Sequence, residues 1–388
     1  MRLIREPATR TAGAWETIDR EPTATGGVPT KQVLEQRSRA PGAPVRLAGV
    51  SVGSSSPGDP PNTDRVPVAS PTTFRRLAIA SLVAVCLIVL TGAAVRLTGS
   101  GLGCPDWPSC YQRQVTPQLS FHPLVEFSNR MVTVALIVLI AATFLAALRR
   151  RPFRADLTWL TVGLLVGVIA QAVIGAIAVY TKLNPYVVVL HLLASMGLVA
   201  VGVVLVHRSN RDYTTGSATP LVPRNVIFGG WAVVGLLGLV LIAGTFTTGA
   251  GPHAGNSQGQ LTARRIPVAL RDMAELHSSL AVLLVGVTLG LVVALHAMPV
   301  PERVRRAGRI LCGVMVLQAV VGYTQYFTHL PAALVEVHVL GATALVVGTV
   351  QFFLAMTDHP RESNATYGLG ATEEARIDGG PRRVQVGG

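Results

Sequence analysis

Gln171-Ala172-Val173-Ile174-Gly175 leads to His191, and Gln318-Ala319-Val320-Val321-Gly322 leads, with the same spacing and no gap, to His338. Both histidines lie a short way into apolar runs long enough to cross a bilayer. An imidazole inside hydrocarbon is costly and reads as functional by default. A matched pair of such sites in a duplicated chain calls for a ligand suited to intramembrane nitrogens, and heme iron suits them best. Axial ligation needs two nitrogens from different helices at one depth, facing each other across a macrocycle. His277 and His338 meet that requirement in the second half. The competing reading, a bundle histidine hydrogen-bonded to a neighbour, is outweighed by the repeat and the shared depth. His191 is the first-half counterpart, but Asn129 stands where its partner is expected, and an amide is a poor iron ligand. The first half thus offers at most one strong ligand, which suits a bound substrate better than a fixed cofactor.

Glu126 precedes Asn129 by three residues, so the two share a helix face. A carboxyl at the outer edge of a bundle is most often an interface residue. Beside a heme with an open position it becomes a candidate base or cation stabiliser. Glu275 is only two residues from His277 and points to another face, so a catalytic carboxylate is expected in the first half only. Arg96 and Arg130 are candidates for heme propionates, with snorkelling to the interface as the equal alternative. Cys104 and Cys110 lie in a Pro- and Gly-rich loop, 99–110, and favour a disulfide on an oxidising face. Metal binding by that pair would need further ligands, of which His122 is the nearest. No Cys-x-x-Cys-His motif for covalent heme occurs. Cys86 and Cys312 read as packing residues, and His207, His253, His296, His329 and His359 as solvated ones.

The elements that position these residues follow from composition. Half of the 388 residues are hydrophobic and 14% are charged, which excludes a soluble globular chain. The net charge of +13 comes from arginines clustered between apolar spans, not from a basic face with interleaved aromatics, so no nucleic-acid partner is expected. Windows of about 20 apolar residues fall near 76–97, 126–148, 157–180, 186–206, 226–247, 274–296, 307–327 and 332–356. The expected fold is an all-α polytopic membrane protein, its eight transmembrane helices arranged as two pseudo-symmetric four-helix bundles. Further echoes support the duplication: AAVRLTGSG at 93–101 answers AGTFTTGAG at 243–251, and Glu126–Arg130 answers Glu275–Ser279. Four helices per half give both halves the same orientation, related by an axis along the membrane normal.

Residues 1–72 form a polar, Pro-, Gly- and Ser-rich stretch expected to be a disordered cytoplasmic tail, without the apolar core of a signal peptide. Residues 73–212 make the first half with the substrate heme site, 213–357 the second half with the cofactor site, and 358–388 a second disordered cytoplasmic tail. Arginines flank the ends that join helices two to three, four to five and six to seven, while connectors 181–185 and 328–331 carry none. The positive-inside rule places both termini in the cytoplasm. The loop 248–273, with Arg264, Arg265 and Arg271, runs against that rule, yet helix parity puts it outside.

Over residues 76–356 the chain resembles the heme A synthase family. The resemblance is carried by RLTGSGLGCPDWPSC at 96–110, EFSNR at 126–130, the two Gln-Ala-Val-x-Gly helices, and His191, His277 and His338. It implies heme b as cofactor, held by His277 and His338. It also implies heme O as substrate in the first half, at His191 and Asn129, and stepwise oxidation of one heme methyl to a formyl group to give heme A. Glu126 matches the family's important carboxylate, and Cys104 with Cys110 its outer-loop disulfide. The implied partners are heme O synthase, the terminal oxidase assembly machinery, an unidentified electron acceptor or donor, and the lipid bilayer of a bacterial cell membrane. Two departures stand out: many members have histidine in place of Asn129, and many carry cysteines in the loop corresponding to 248–273, where this chain has none. The alternatives are a diheme cytochrome b that only carries electrons and a heme-delivery or oxidase-assembly protein without turnover.

Overall fold

The computed structural model describes residues 68–111, 114–210, 220–256 and 263–357. The expected tails, apart from residues 68–72, lie outside the described residues. Eight helices follow in order: α1 Pro71–Leu97, α2 Phe121–Arg149, α3 Ala155–Tyr180, α4 Pro185–Ser209, α5 Arg224–Ala250, α6 Leu270–His296, α7 Glu302–Phe327 and α8 Ala332–Met356. All are long and apolar enough to span a membrane. Their side chains leave much of that apolar surface outside the bundle, as at Val138, Trp159, Val282 and Leu317. Such a surface is stable only against hydrocarbon.

Prolines and short polar side chains set the helix starts. Ser70 caps α1 by accepting the Thr73 N–H, with Pro71 in the first turn, so the helix begins two residues inside the stretch expected to be tail. Asn184 caps α4 through the Tyr186 N–H. Pro223, Pro301 and Pro331 immediately precede α5, α7 and α8. Seven of the eight helices start earlier than their apolar windows, α1, α2, α6 and α7 by four or five residues. Phe121, His122 and Pro123 form the first turn of α2, so Glu126 and Asn129 lie inside the helix, not at its start. α6 likewise begins at Leu270, ahead of Glu275. A hydropathy window ends where polar residues begin, whereas helical hydrogen bonding continues through them.

In the first half α1 touches α2 and α4, and α3 touches α2 and α4; in the second, α5 touches α6 and α8, and α7 touches α6 and α8. The diagonal helices α2 and α4 do not touch, nor do α6 and α8. Between halves, α4 meets α8, while α1 meets α8 and α5 meets α4. The connectors after α3 and α7 match in detail. Lys182 and Leu183, like His329 and Leu330, all have φ between 55° and 63°. The Leu183 N–H returns to Ala178 O and the Leu330 N–H to Gln325 O, both at 2.7 Å. The histidines enter their helices at the same point, because α4 starts at Pro185 and α8 at Ala332.

Candidate functional site

In the second half the two diagonal helices face each other through their histidines. The His277 and His338 rings are 6.2 Å apart, centroid to centroid, at 68°. His277 Nδ1 lies 3.0 Å from Val240 O, a bond that fixes this nitrogen as the N–H donor and leaves Nε2 as the free base. An iron about 2 Å from each nitrogen would separate two imidazole centres by roughly 6 Å, so the observed spacing fits a six-coordinate heme. Among the described residues no group of three or more His, Cys, Asp or Glu side chains is placed to hold a bare ion. A porphyrin, which brings four nitrogens of its own, suits a site of two. The rings open into a cavity of about 500 Å³ between α5, α6, α7 and α8, walled by apolar groups that include Leu284, Met315 and Leu345. That size is ordinary for a cofactor pocket.

The recurring Gln-Ala-Val-x-Gly segments build the ring environments. Gln318 Nε2 donates to His338 O at 2.9 Å, and Gln171 Nε2 donates to His191 O at 2.8 Å, each pinning α8 or α4 at the histidine itself. Gln171 also bonds Ser195, whose hydroxyl donates to His191 O. The glycines leave room for the rings: a Cβ on Gly322 would come within 3.2 Å of His338, and one on Gly244 within 2.8 Å of His277. His191 and His338 each carry a buried Nδ1 without a partner in the described structure. Such orphans are rare in folded proteins unless a ligand or water completes them.

The first half is more polar. Asn129 Oδ1 accepts a hydrogen bond from the Thr91 hydroxyl of α1 at 2.8 Å. Glu126 is 6% exposed, and both of its oxygens are engaged. Oε2 accepts the Cys104 N–H at 2.8 Å, and Oε1 accepts Arg130 Nη2 at 2.6 Å. Arg130 also donates to the carbonyls of Cys104, Asp106 and Ser109. Cys104 and Cys110 form a disulfide that closes this loop on itself, and the Glu126 carboxylate and Arg130 guanidinium lock it to α2.

Two arginines have protein partners that the sequence did not show. Arg130 bonds the loop 99–110 and Glu126, and Arg96 bonds the second half: Arg96 Nε donates to His253 O at 2.7 Å and Nη2 to Thr248 O at 2.9 Å. In each, backbone carbonyls take most of the fork. His253 is not merely solvated; its Nε2 lies 2.9 Å from Leu330 O. His122 lies beside Ser100 Oγ at 3.0 Å, which leaves the cysteines paired to each other instead of sharing a metal with it. Cys86 and Cys312 pack against the core as expected. Sequence reasoning missed Thr91, Gly244 and the pinning role of the glutamines. The repeat itself flagged Gln171, Gln318, Gly175 and Gly322; nothing flagged Thr91.

The chain is 34% identical over 145 residues to heme A synthase of Geobacillus kaustophilus, covering 34% of this chain and 45% of that protein. It is 35% identical over 130 residues to heme A synthase of Lysinibacillus sphaericus, covering 32% and 42%. The matches to these two relatives thus span less than half of their length. A longer match runs to heme A synthase of Shewanella oneidensis, 25% identical over 324 residues, covering 71% of this chain and 94% of that protein. Residues 75–350 match the cytochrome oxidase assembly protein family, and the chain belongs to that family.

Proposed function

We propose that this protein is an oxidoreductase of heme A biosynthesis, converting heme O to heme A by successive oxidation of one methyl group. The observation that carries the reading is the His277 and His338 pair, 6.2 Å apart beside an apolar cavity, set against a half that offers His191 with Asn129 in place of a second imidazole. Heme b, when bound between His277 and His338, supplies one-electron exchange. The chain's own residues do the rest. His277 is oriented by Val240 O and His338 by its Gln318-pinned helix. His191 and Asn129 receive the substrate heme in the first half, and the apolar helices keep bulk water from it. Glu126 serves as the proton acceptor or cation-stabilising carboxylate near the methyl being oxidised. Because it also holds the Cys104 N–H, loop closure and chemistry are coupled at one side chain.

In this reading both termini are cytoplasmic and the disulfide loop faces the oxidising side of a bacterial cell membrane. Heme O synthase supplies the substrate, the oxidase assembly machinery takes the product, and a further electron partner is required. The test is extraction of hemes from cells that make heme O, lack their own synthase and express this chain. Hydroxylated and formylated heme are expected, and unchanged heme O would refute the activity. One observation favours a protein that only passes electrons or delivers heme: both Glu126 oxygens are already occupied. The same extraction separates the readings, since only the enzyme changes the heme.

A further inference from the structure

The two halves hold the polar side chains of α2 and α6 differently. In the second half, His277 of α6 is held against α5 by the Val240 carbonyl. In the first, Asn129 of α2 is held against α1 by the Thr91 hydroxyl. Aligning 93–101 with 243–251 places Thr91 opposite Leu241, the neighbour of Val240, and Leu241 lines the second-half cavity. Aligning Glu126–Arg130 with Glu275–Ser279 places Asn129 one residue past the position opposite His277. Asn129 is therefore fixed to the wall about one residue from the level where His277 is fixed, by a bond that uses its oxygen. An amide has two N–H groups on the other atom. Among the described residues they have no protein acceptor, while the carbonyl side is occupied.

An imidazole at such a place would bind iron and close its second face. An amide leaves that face open and presents hydrogen-bond donors to it. We propose that Asn129, oriented by Thr91, donates a hydrogen bond to a small anionic or oxygen ligand on the open face of a heme held by His191. The inference rests on the reading of the first half as a heme site, and it adds how that site treats a ligand. Thr91 is a positioning residue in this scheme: without its hydroxyl the amide can turn its oxygen, an acceptor, toward the ligand.

The probe is sodium azide, titrated into the ferric, detergent-solubilised full chain loaded with heme at both sites. The second-half heme, with two imidazoles, leaves no position for azide. A high-spin fraction that depends on His191 should bind it. Asn129→Leu removes the donors at similar volume and should weaken azide by about tenfold, the worth of one hydrogen bond to a charged acceptor. Thr91→Val should weaken it by a smaller factor and broaden the azide infrared stretch as the amide loses its fixed orientation. Asn129→His should turn the first-half heme low-spin and abolish azide binding. In every variant the unchanged low-spin spectrum of the second-half heme reports that the chain is folded. His191-dependent azide binding that is indifferent to both Asn129→Leu and Thr91→Val would overturn the inference and leave the heme site standing. Absence of any His191-dependent azide binding in the unmodified chain would overturn both.

Discussion

A side-chain amide donating to a helix carbonyl fixes the depth and rotation of the residue that owns the carbonyl. Gln318 does this for His338, and Gly341 allows it, because a Cβ there would overlap the Gln318 amide. Gln318→Leu should keep the low-spin spectrum but speed heme loss by roughly fivefold, as expected for about 1 kcal/mol of lost hydrogen bonding; transfer to an apo-globin measures it. The histidines themselves give a sharper outcome. His277→Ala or His338→Ala should remove most tightly bound b-type heme, whereas His191→Ala should not, and low-spin heme surviving intact in His338→Ala would refute the cofactor assignment. At this scale residue types were legible in the sequence because a polar group repeated at one depth in hydrocarbon has few explanations. Their partners were not: Thr91 and Asn129 are joined only when α1 and α2 pack, and no local pattern encodes that meeting.

At the scale of the element, the loop 99–110 and the start of α2 form one unit. The Cys104 to Cys110 disulfide closes a short ring, so its entropic contribution should lie at or below the low end of about 2 to 4 kcal/mol. Arg130 has wider reach, since it joins three loop carbonyls to the Glu126 carboxylate, and the two side chains are only 14% and 7% exposed. Removing one partner of a buried pair strands the other, at about 3 kcal/mol or more. Arg130→Ala should therefore lower the melting temperature more than the Cys104→Ser, Cys110→Ser double variant does, with scanning calorimetry in detergent as the measurement. A loss no larger than that of the double variant would mean that the guanidinium holds the loop no more strongly than the disulfide does. The helix ends teach a related lesson. Hydropathy located all eight spans, but α1, α2, α6 and α7 start four or five residues before it, because backbone hydrogen bonds do not stop where apolar side chains do.

Across the whole molecule the halves are joined by more than packed helices. Arg96, at the C-terminal end of α1, reaches the last turn of α5 and the loop beyond it; His253 of that loop reaches the connector before α8. Gly101 N–H donates to Gly255 O at 2.9 Å, and Ser100 pairs with Asn256, so the loops after α1 and α5 share backbone bonds. A guanidinium cation at a helix C-terminus also complements the exposed carbonyls there. This clamp was illegible in the sequence, where Arg96 looked like any interfacial arginine: its acceptors are carbonyls, which every residue has, and they lie more than 150 residues away. Lysine keeps the charge but is a single point donor and cannot span two carbonyls. Arg96→Lys should accordingly leave the second-half heme spectrum unchanged while opening the contact between the loops after α1 and α5. Hydrogen-deuterium exchange is the decisive measurement, because the Gly101 amide is protected only by a carbonyl of the other half. Its exchange should accelerate in Arg96→Lys, and in Arg96→Ala by more, since the His253 carbonyl then loses its donor, at roughly 1–3 kcal/mol, while Thr248 O keeps the Gly251 N–H. Unchanged protection at Gly101 in both variants would show that helix packing alone holds the loops together and that Arg96 is no clamp.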